Sequence, residues 1–126
     1  MTTFLDLLKK LSESPGVSGH EQRVAEIFRD ELVGYVDKIE IDSIGNVIAT
    51  KKSAADDAMK VMVETHLDEP ALNVKYIEDD GFLRLDYVGL PLLQALPFER
   101  VDVHGKHGPI LGVVGAPGMH VYYMEM

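Results

Sequence analysis

A chain of 126 residues, 46% hydrophobic and 26% charged, has the composition of a soluble globular protein with one ordinary domain or two small ones. Its net charge of −9 argues against nucleic acid as a partner, because phosphate binding needs clustered Lys and Arg. It has no cysteine, which excludes disulfide frameworks and thiolate metal sites, so any metal must be held by His, Asp or Glu.

The opening "MTTFLDLLKK" is too early charged for a signal peptide, and no stretch approaches the roughly 20 apolar residues of a membrane span. A cytoplasmic, membrane-free protein is expected. Phe4, Leu5, Leu8 and Leu11 fall at helical spacing and predict a short amphipathic helix. Pro15, Gly16 and Gly19 in "SESPGVSGHE" mark a loop. Ser18 and Glu21 then have the spacing of a capping box, with the hydroxyl capping the Glu21 N–H. A second helix is expected to about Val33, with Val24, Ile27, Phe28 and Leu32 facing inward.

After Gly34 the period changes to two. "YVDKIEID" and "NVIAT" predict a hairpin turning at "SIG", with Tyr35, Asp37, Ile39 and Ile41 on one side. "KKSAADDAMK" is an exposed loop, and "KVMVETH" is apolar enough to predict a third strand buried on both faces. "ALNVKYIE" and "FLRLDYVG", joined by "DDG", predict a hairpin, as do "RVDVHG" and "ILGVVG" joined by "KHGP". "LPLLQALPF", broken by Pro91 and Pro97, is a crossing segment. The composition changes near residue 70, from an αβ part over residues 1–69 to an all-β part over residues 70–126.

Chemistry concentrates at the end of the third predicted strand, in His66-x-Asp68. A ligating histidine commonly gives its second ring N–H to a carboxylate, and two residues across a turn let these side chains converge. Spacing alone leaves two readings open: a metal ligand with its orienting carboxylate, or a polar strand end with Asp68 capping the next turn. One histidine cannot hold a catalytic metal, which needs about three protein ligands. Glu64 and Glu69 flank the motif and read as solvated carboxylates. His104 and His107 straddle a turn that points them apart, and His20 and His120 read as a surface and a loop residue. The acidic residues offer no convincing general acid–base pair. "GVVGAPG" lacks a P-loop lysine, and no Ser sits in a nucleophile setting.

Several segments in order resemble the M42 family of metallo-aminopeptidases, the glutamyl-aminopeptidase-like tetrahedral enzymes. "LLKKLSESPGVSGHEQRV" is similar to the opening helix and Pro-Gly-x-Ser-Gly-x-Glu loop of that family, and "IDSIGNVIATKK" to its Asp-x-x-Gly-Asn-x-Ile-Ala segment. "KVMVETHLDEPALNVKYIEDDGFLRLDYVG" resembles the strand into its His-Met-Asp-Glu motif and the hairpin beyond. "ERVDVHGKHGPILGVVGAPGMH" is similar to its Gln-Arg-Val strand pair and Gly-Val-Ile-Gly run. The resemblance runs from about Leu7 to His120, and four motifs in the right order make it specific.

The resemblance implies the N-terminal part of an α/β zinc-peptidase-like catalytic domain, interrupted after His-x-Asp by a β-rich, barrel-like dimerisation domain. It implies that His66 binds one of two metal ions, zinc or cobalt, with Asp68 orienting its ring. The chemistry implied is metal-assisted hydrolysis of N-terminal peptide bonds, with peptides as substrates, in a homo-oligomer. The family's metal-bridging Asp, its Glu-Glu pair, a further Asp and a final His have no counterpart in these 126 residues. Pro70 and Ala71 stand where an Ile-Gly pair is usual, "VGLPLLQALPFERV" lacks the Gly-Gly-Asp-Pro and Gly-Gln signature, and "VYYMEM" matches nothing in the family. The expectation is therefore a truncated chain, inactive alone. Its alternatives are a non-catalytic oligomerisation module and one half of a split enzyme.

Overall fold

The computed structural model describes residues 3–116. His120 and the end of the "GVVGAPG" run lie outside the described residues. The fold is mixed α/β: helices α1 (Phe4–Ser12) and α2 (Gln22–Leu32) precede strands β1 (Lys38–Ile41), β2 (Val47–Thr50), β3 (Ala71–Ile77), β4 (Leu83–Val88), β5 (Arg100–Gly105) and β6 (Gly108–Val113). The strands pair as three two-stranded antiparallel sheets, β1–β2, β3–β4 and β5–β6. The chain forms two compact units, Met1–Leu90 and Pro91–Met126.

In the first unit α1 starts on a capping box that the sequence reading did not include. The Asp6 N–H donates to Thr3 Oγ1 at 3.2 Å and the Thr3 N–H to Asp6 Oδ2 at 3.1 Å. Phe4, Leu5 and Leu8 are exposed and α1 buries no residue; Lys10 Nζ ties it to Glu31 Oε1 of α2 at 2.8 Å. On α2 the expected face is correct. Val24 is buried, and Ile27, Phe28 and Leu32 are half-buried against their neighbours. Val24 and Ala25 are the buried hydrophobic side chains among the described residues.

The β1–β2 hairpin begins three residues later than expected, at Lys38. Gly34, with φ 87°, and the Tyr35 N–H bond to Leu32 O make residues 33–36 a helix exit rather than a strand. Ile39 faces Ala49 and Ile41 faces Val47 in register. The turn is built around Asp42. Its Oδ1 accepts the N–H groups of Ile44 (3.0 Å) and Asn46 (2.9 Å), and Oδ2 accepts Asn46 Nδ2 at 2.8 Å. Gly45 supplies the positive φ, 95°, that this turn needs. The Asp-x-x-Gly-Asn spacing is thus a turn motif with a mechanism.

The expected strand over "KVMVETH" is not formed. Residues 58–68 have no regular secondary structure, and Met59, Val61, Met62 and Val63 are 84%, 74%, 83% and 92% exposed. A strand buried on both faces needs ladders on its edges and layers over both faces. Among the described residues no strand pairs with this segment. The β3–β4 hairpin follows directly, with a bulge at Lys75 and a turn closed by the Gly81 N–H bond to Glu78 O.

In the second unit Pro91 and Pro97 bracket a 3-10 turn, Leu93–Ala95, so "LPLLQALPF" is a connecting segment as expected. The β5–β6 hairpin closes on Lys106 and His107 between the paired Gly105 and Gly108. Gly112 lies beneath Val101 and Val103, where an added Cβ would meet Val103 Cγ2 at 3.0 Å.

The Asn46 side chain, then the backbone N–H groups of the turn, hold the Asp42 carboxylate below its ordinary pKa. A depressed folded pKa means the hairpin is favoured above the unfolded carboxylate pKa of about 3.9 and loses that support as pH falls through the lower folded value. In a carboxyl-detected NMR titration, Asp42 is expected to titrate below its exposed neighbours, and β1–β2 amide protection to fall in step with it. Protection unchanged through that titration would count against the turn's dependence on the ionised carboxylate.

Candidate functional site

The site lies in the first unit, where the α1–α2 loop meets the segment carrying His66 and Asp68. Pro15 and Gly16 turn the chain so that residues 16–18 run beside residues 67–69 as a short parallel bridge, Val17 to Glu69. The Glu69 N–H donates to Gly16 O at 2.8 Å, and the Gly16 N–H donates to Glu69 Oε1 at 3.2 Å. Gly16 is buried against Leu67 O and Val24 Cγ1, each 3.1 Å from where a Cβ would stand. A glycine is needed here for close approach, which is why α2 can seat the loop directly against the motif.

Within this clamp His66 and Asp68 converge. His66 Nδ1 lies 3.1 Å from Asp68 Oδ1 and 2.9 Å from Asp68 O, so an Nδ1–H is shared between two oxygens of one residue. That arrangement leaves Nε2 with its lone pair free. The side chain is 82% exposed, so Nε2 is open to an incoming group. The second carboxylate oxygen of Asp68 accepts from Ser18 Oγ at 2.5 Å. This is the short range of a hydroxyl donating to a charged oxygen. The Ser18 bond, and then the His66 ring, hold Asp68 below the usual carboxylate range despite an opposing effect of burial.

The expected capping box at α2 is not made, because the helix begins at Gln22 with Glu21 rather than Ser18 at its N-cap. The Ser18 hydroxyl donates its proton to Asp68, and no helix N–H donates to its oxygen, the atom a capping box would use. The helix begins at Gln22 with no side-chain cap, and Glu21 reaches back only as far as the Gly19 N–H, at 2.7 Å. Ser18 is the member of the cluster that the sequence reading assigned elsewhere. The signal that could have found it is the loop motif itself: a hydroxyl two residues past a Pro-Gly pair.

The other candidates do not join the site. Glu64 is exposed, and Glu69 spends its carboxylate on the Gly16 N–H. His20 lies in the turn before α2, with its N–H on Val17 O at 2.7 Å. In the second unit His104 stands opposite Pro109 on β5, and His107 occupies the exposed hairpin turn. Among the described residues no three His, Asp or Glu side chains converge on a point that could hold a metal ion. His66 has the donor chemistry of one zinc or cobalt ligand: an imidazole whose far nitrogen is fixed by a carboxylate. A shallow apolar groove borders the motif, lined by Leu8, Leu11, Val24, Phe28 and Leu67.

Comparison with known proteins places these features in a family context. The model of the M42 glutamyl aminopeptidase family matches residues 45–125. A putative aminopeptidase of Acetivibrio thermocellus is 41% identical over 123 residues, covering 97% of this chain and 33% of that protein. An aminopeptidase from the archaeon Desulfurococcus kamchatkensis shares the fold with a TM-score of 0.85 at 37% identity, over 92% of this chain and 32% of that one. The Pyrococcus horikoshii TET1 peptidase, described as assembling into a tetrahedron or a large octahedral shell, matches with a TM-score of 0.78 at 31% identity, over 94% of this chain and 35% of that one. The chain thus spans about a third of the length of these relatives.

Gly16→Ala tests the clamp. The new methyl group would meet a backbone carbonyl that cannot yield without moving the motif, so a loss of about 1–3 kcal/mol is expected from urea unfolding followed by circular dichroism. An unchanged midpoint would show that the loop gives way and that the close approach is not required.

Proposed function

Because the chain belongs to the M42 glutamyl aminopeptidase family, we propose that it is the N-terminal part of a metal-dependent aminopeptidase and contributes His66 as one ligand of a zinc or cobalt site. The observation that carries this reading is the His66–Asp68 pair, with Nδ1 held by the carboxylate and Nε2 free and exposed. Asp68 accepts a hydrogen bond from the ring Nδ1–H, fixes the tautomer that presents a lone pair at Nε2, and raises its basicity. Ions bound at such a site polarise the scissile carbonyl and lower the pKa of water. One imidazole is too little to hold a catalytic ion, so the remaining ligands and the general base come from outside the described residues. The relatives' threefold greater length is consistent with that source, whether it lies on the same polypeptide or on a second one.

In this reading residues 1–69 belong to an α/β catalytic domain and residues 70–126 to a β-rich dimerisation domain, in a cytoplasmic homo-oligomer acting on peptides. The assembly described for the Pyrococcus horikoshii TET1 peptidase supports an oligomer. So does the long run of exposed apolar residues, because such surfaces on a folded chain mark contacts with other protein. No helix among the described residues is long and apolar enough to cross a membrane.

Hydrolysis of aminoacyl-anilides with zinc or cobalt is the direct test. The 126-residue chain alone is expected to give no turnover. Turnover is expected when it is combined with a polypeptide carrying the remaining two-thirds of a relative. His66→Ala should then abolish the recovered activity, and Asp68→Asn should lower it by about 10- to 100-fold. Turnover by the chain alone with stoichiometric zinc would overthrow the one-ligand assignment, and full activity in His66→Ala would remove His66 from the site. Sedimentation at micromolar concentration provides a separate check, with a dimer or larger species expected and a monomer counting against the dimerisation role.

A further inference from the structure

We infer that Ser18 is a positioning residue for the histidine ligand: its hydroxyl pins the Asp68 carboxylate so that the opposite oxygen faces the His66 ring. This rests on the reading of His66 as a metal ligand and adds to it a residue fifty positions away in sequence. Three observations carry it. Ser18 Oγ and His66 Nδ1 take different oxygens of the same carboxylate, Oδ2 at 2.5 Å and Oδ1 at 3.1 Å, so the Ser18 bond sets the rotation of the group that the ring meets. The loop holding Ser18 is itself fixed, by the two Gly16–Glu69 bonds at 2.8 and 3.2 Å and by the close packing of Gly16, where an added Cβ would meet Leu67 O and Val24 Cγ1 at 3.1 Å. Asp68 is also the one side-chain hydrogen-bond partner of Ser18 among the described residues: no helix N–H donates to the Ser18 oxygen, and α2 starts uncapped.

An exposed aspartate has two freely exchanged oxygens and a rotatable χ2, so on its own it would meet the ring in only part of its conformations. A donor on the far oxygen removes that freedom before any ion arrives. This is how the partners of a ligating histidine commonly act, by ordering the ligand rather than touching the metal. The main-chain oxygen of Asp68 gives the ring a second acceptor at 2.9 Å. Loss of Ser18 would therefore loosen the ring without freeing it completely.

The experiment compares wild type, Ser18→Ala and Ser18→Thr as the full 126-residue chain, metal-free, by long-range proton–nitrogen NMR of the His66 ring. Wild type is expected to show one tautomer, with Nδ1 protonated and its proton visible. Ser18→Ala should give a mixture with an Nε2–H population and a broadened Nδ1–H signal, and Ser18→Thr, which keeps the hydroxyl, should restore the wild-type pattern. Amide signals of α2 report whether each variant is folded. If the alanine variant is unfolded, Ser18→Cys replaces it, keeping the size with a weaker donor, and a pattern between wild type and a mixture is expected. An unchanged ring pattern in Ser18→Ala or Ser18→Cys, or a threonine variant that behaves like alanine, would overturn the assignment. A calorimetric titration of zinc into the chain combined with a polypeptide carrying the remaining two-thirds of a relative forms the second arm, with affinity expected to fall about 10-fold in Ser18→Ala. If His66→Ala leaves the zinc affinity of that combination unchanged, the ligand reading fails, while the ring spectra still decide the positioning role.

Discussion

The clamp between residues 16–18 and 67–69 is the contact on which the candidate site depends. Two main-chain segments with no regular secondary structure on the motif side are held together by a short parallel bridge and a glycine contact. Its Gly16–Glu69 bonds, at 2.8 and 3.2 Å, are ordinary in length. What makes the arrangement specific is the absence of a side chain at Gly16, which lets the loop approach to backbone contact. Once the loop is seated, Ser18 and Glu69 have little choice of partner, and Asp68 and His66 follow from them.

The clamp also shows how local and tertiary demands compete. Ser18 and Glu21 carry the spacing of a capping box, and an isolated peptide would use it. In the folded chain α2 instead starts at Gln22 without a side-chain cap, and the Ser18 hydroxyl donates to the charged Asp68 oxygen at 2.5 Å. Local rules that fail in a folded protein tend to fail at functional positions, because there a residue is selected for what it touches across the fold. The box at Thr3 and Asp6, far from the motif, is fully formed.

Apolar character without a partner marks the other half of the first unit. Met59 to Val63 have the composition of a core strand but lie exposed, and the small buried set around Val24 and Ala25 cannot cover them. Burial on two faces is a property of a sheet and its flanking layers, not of a segment. The matched relatives are about three times as long as this chain. The β3–β4 and β5–β6 hairpins, by contrast, are complete as pairs, since each has its ladder and turn within a few residues of sequence.

What could be read directly from the chain were features whose causes are local. The two helices, the three hairpins with their Gly45, Gly81 and Gly105–Gly108 turns, and the inward face of α2 all depend on periodicity and turn chemistry within about ten residues. His66 and Asp68 were legible as a pair for the same reason: two residues across a turn meet whatever the rest of the chain does. The tertiary structure decided the partners of that pair and the fate of the apolar segment before it. Ser18 reaches Asp68 over fifty positions because Gly16 admits close backbone approach, and no spacing rule encodes that. Residues 58–68 stay irregular because a central strand draws its stability from neighbours rather than from its own side chains.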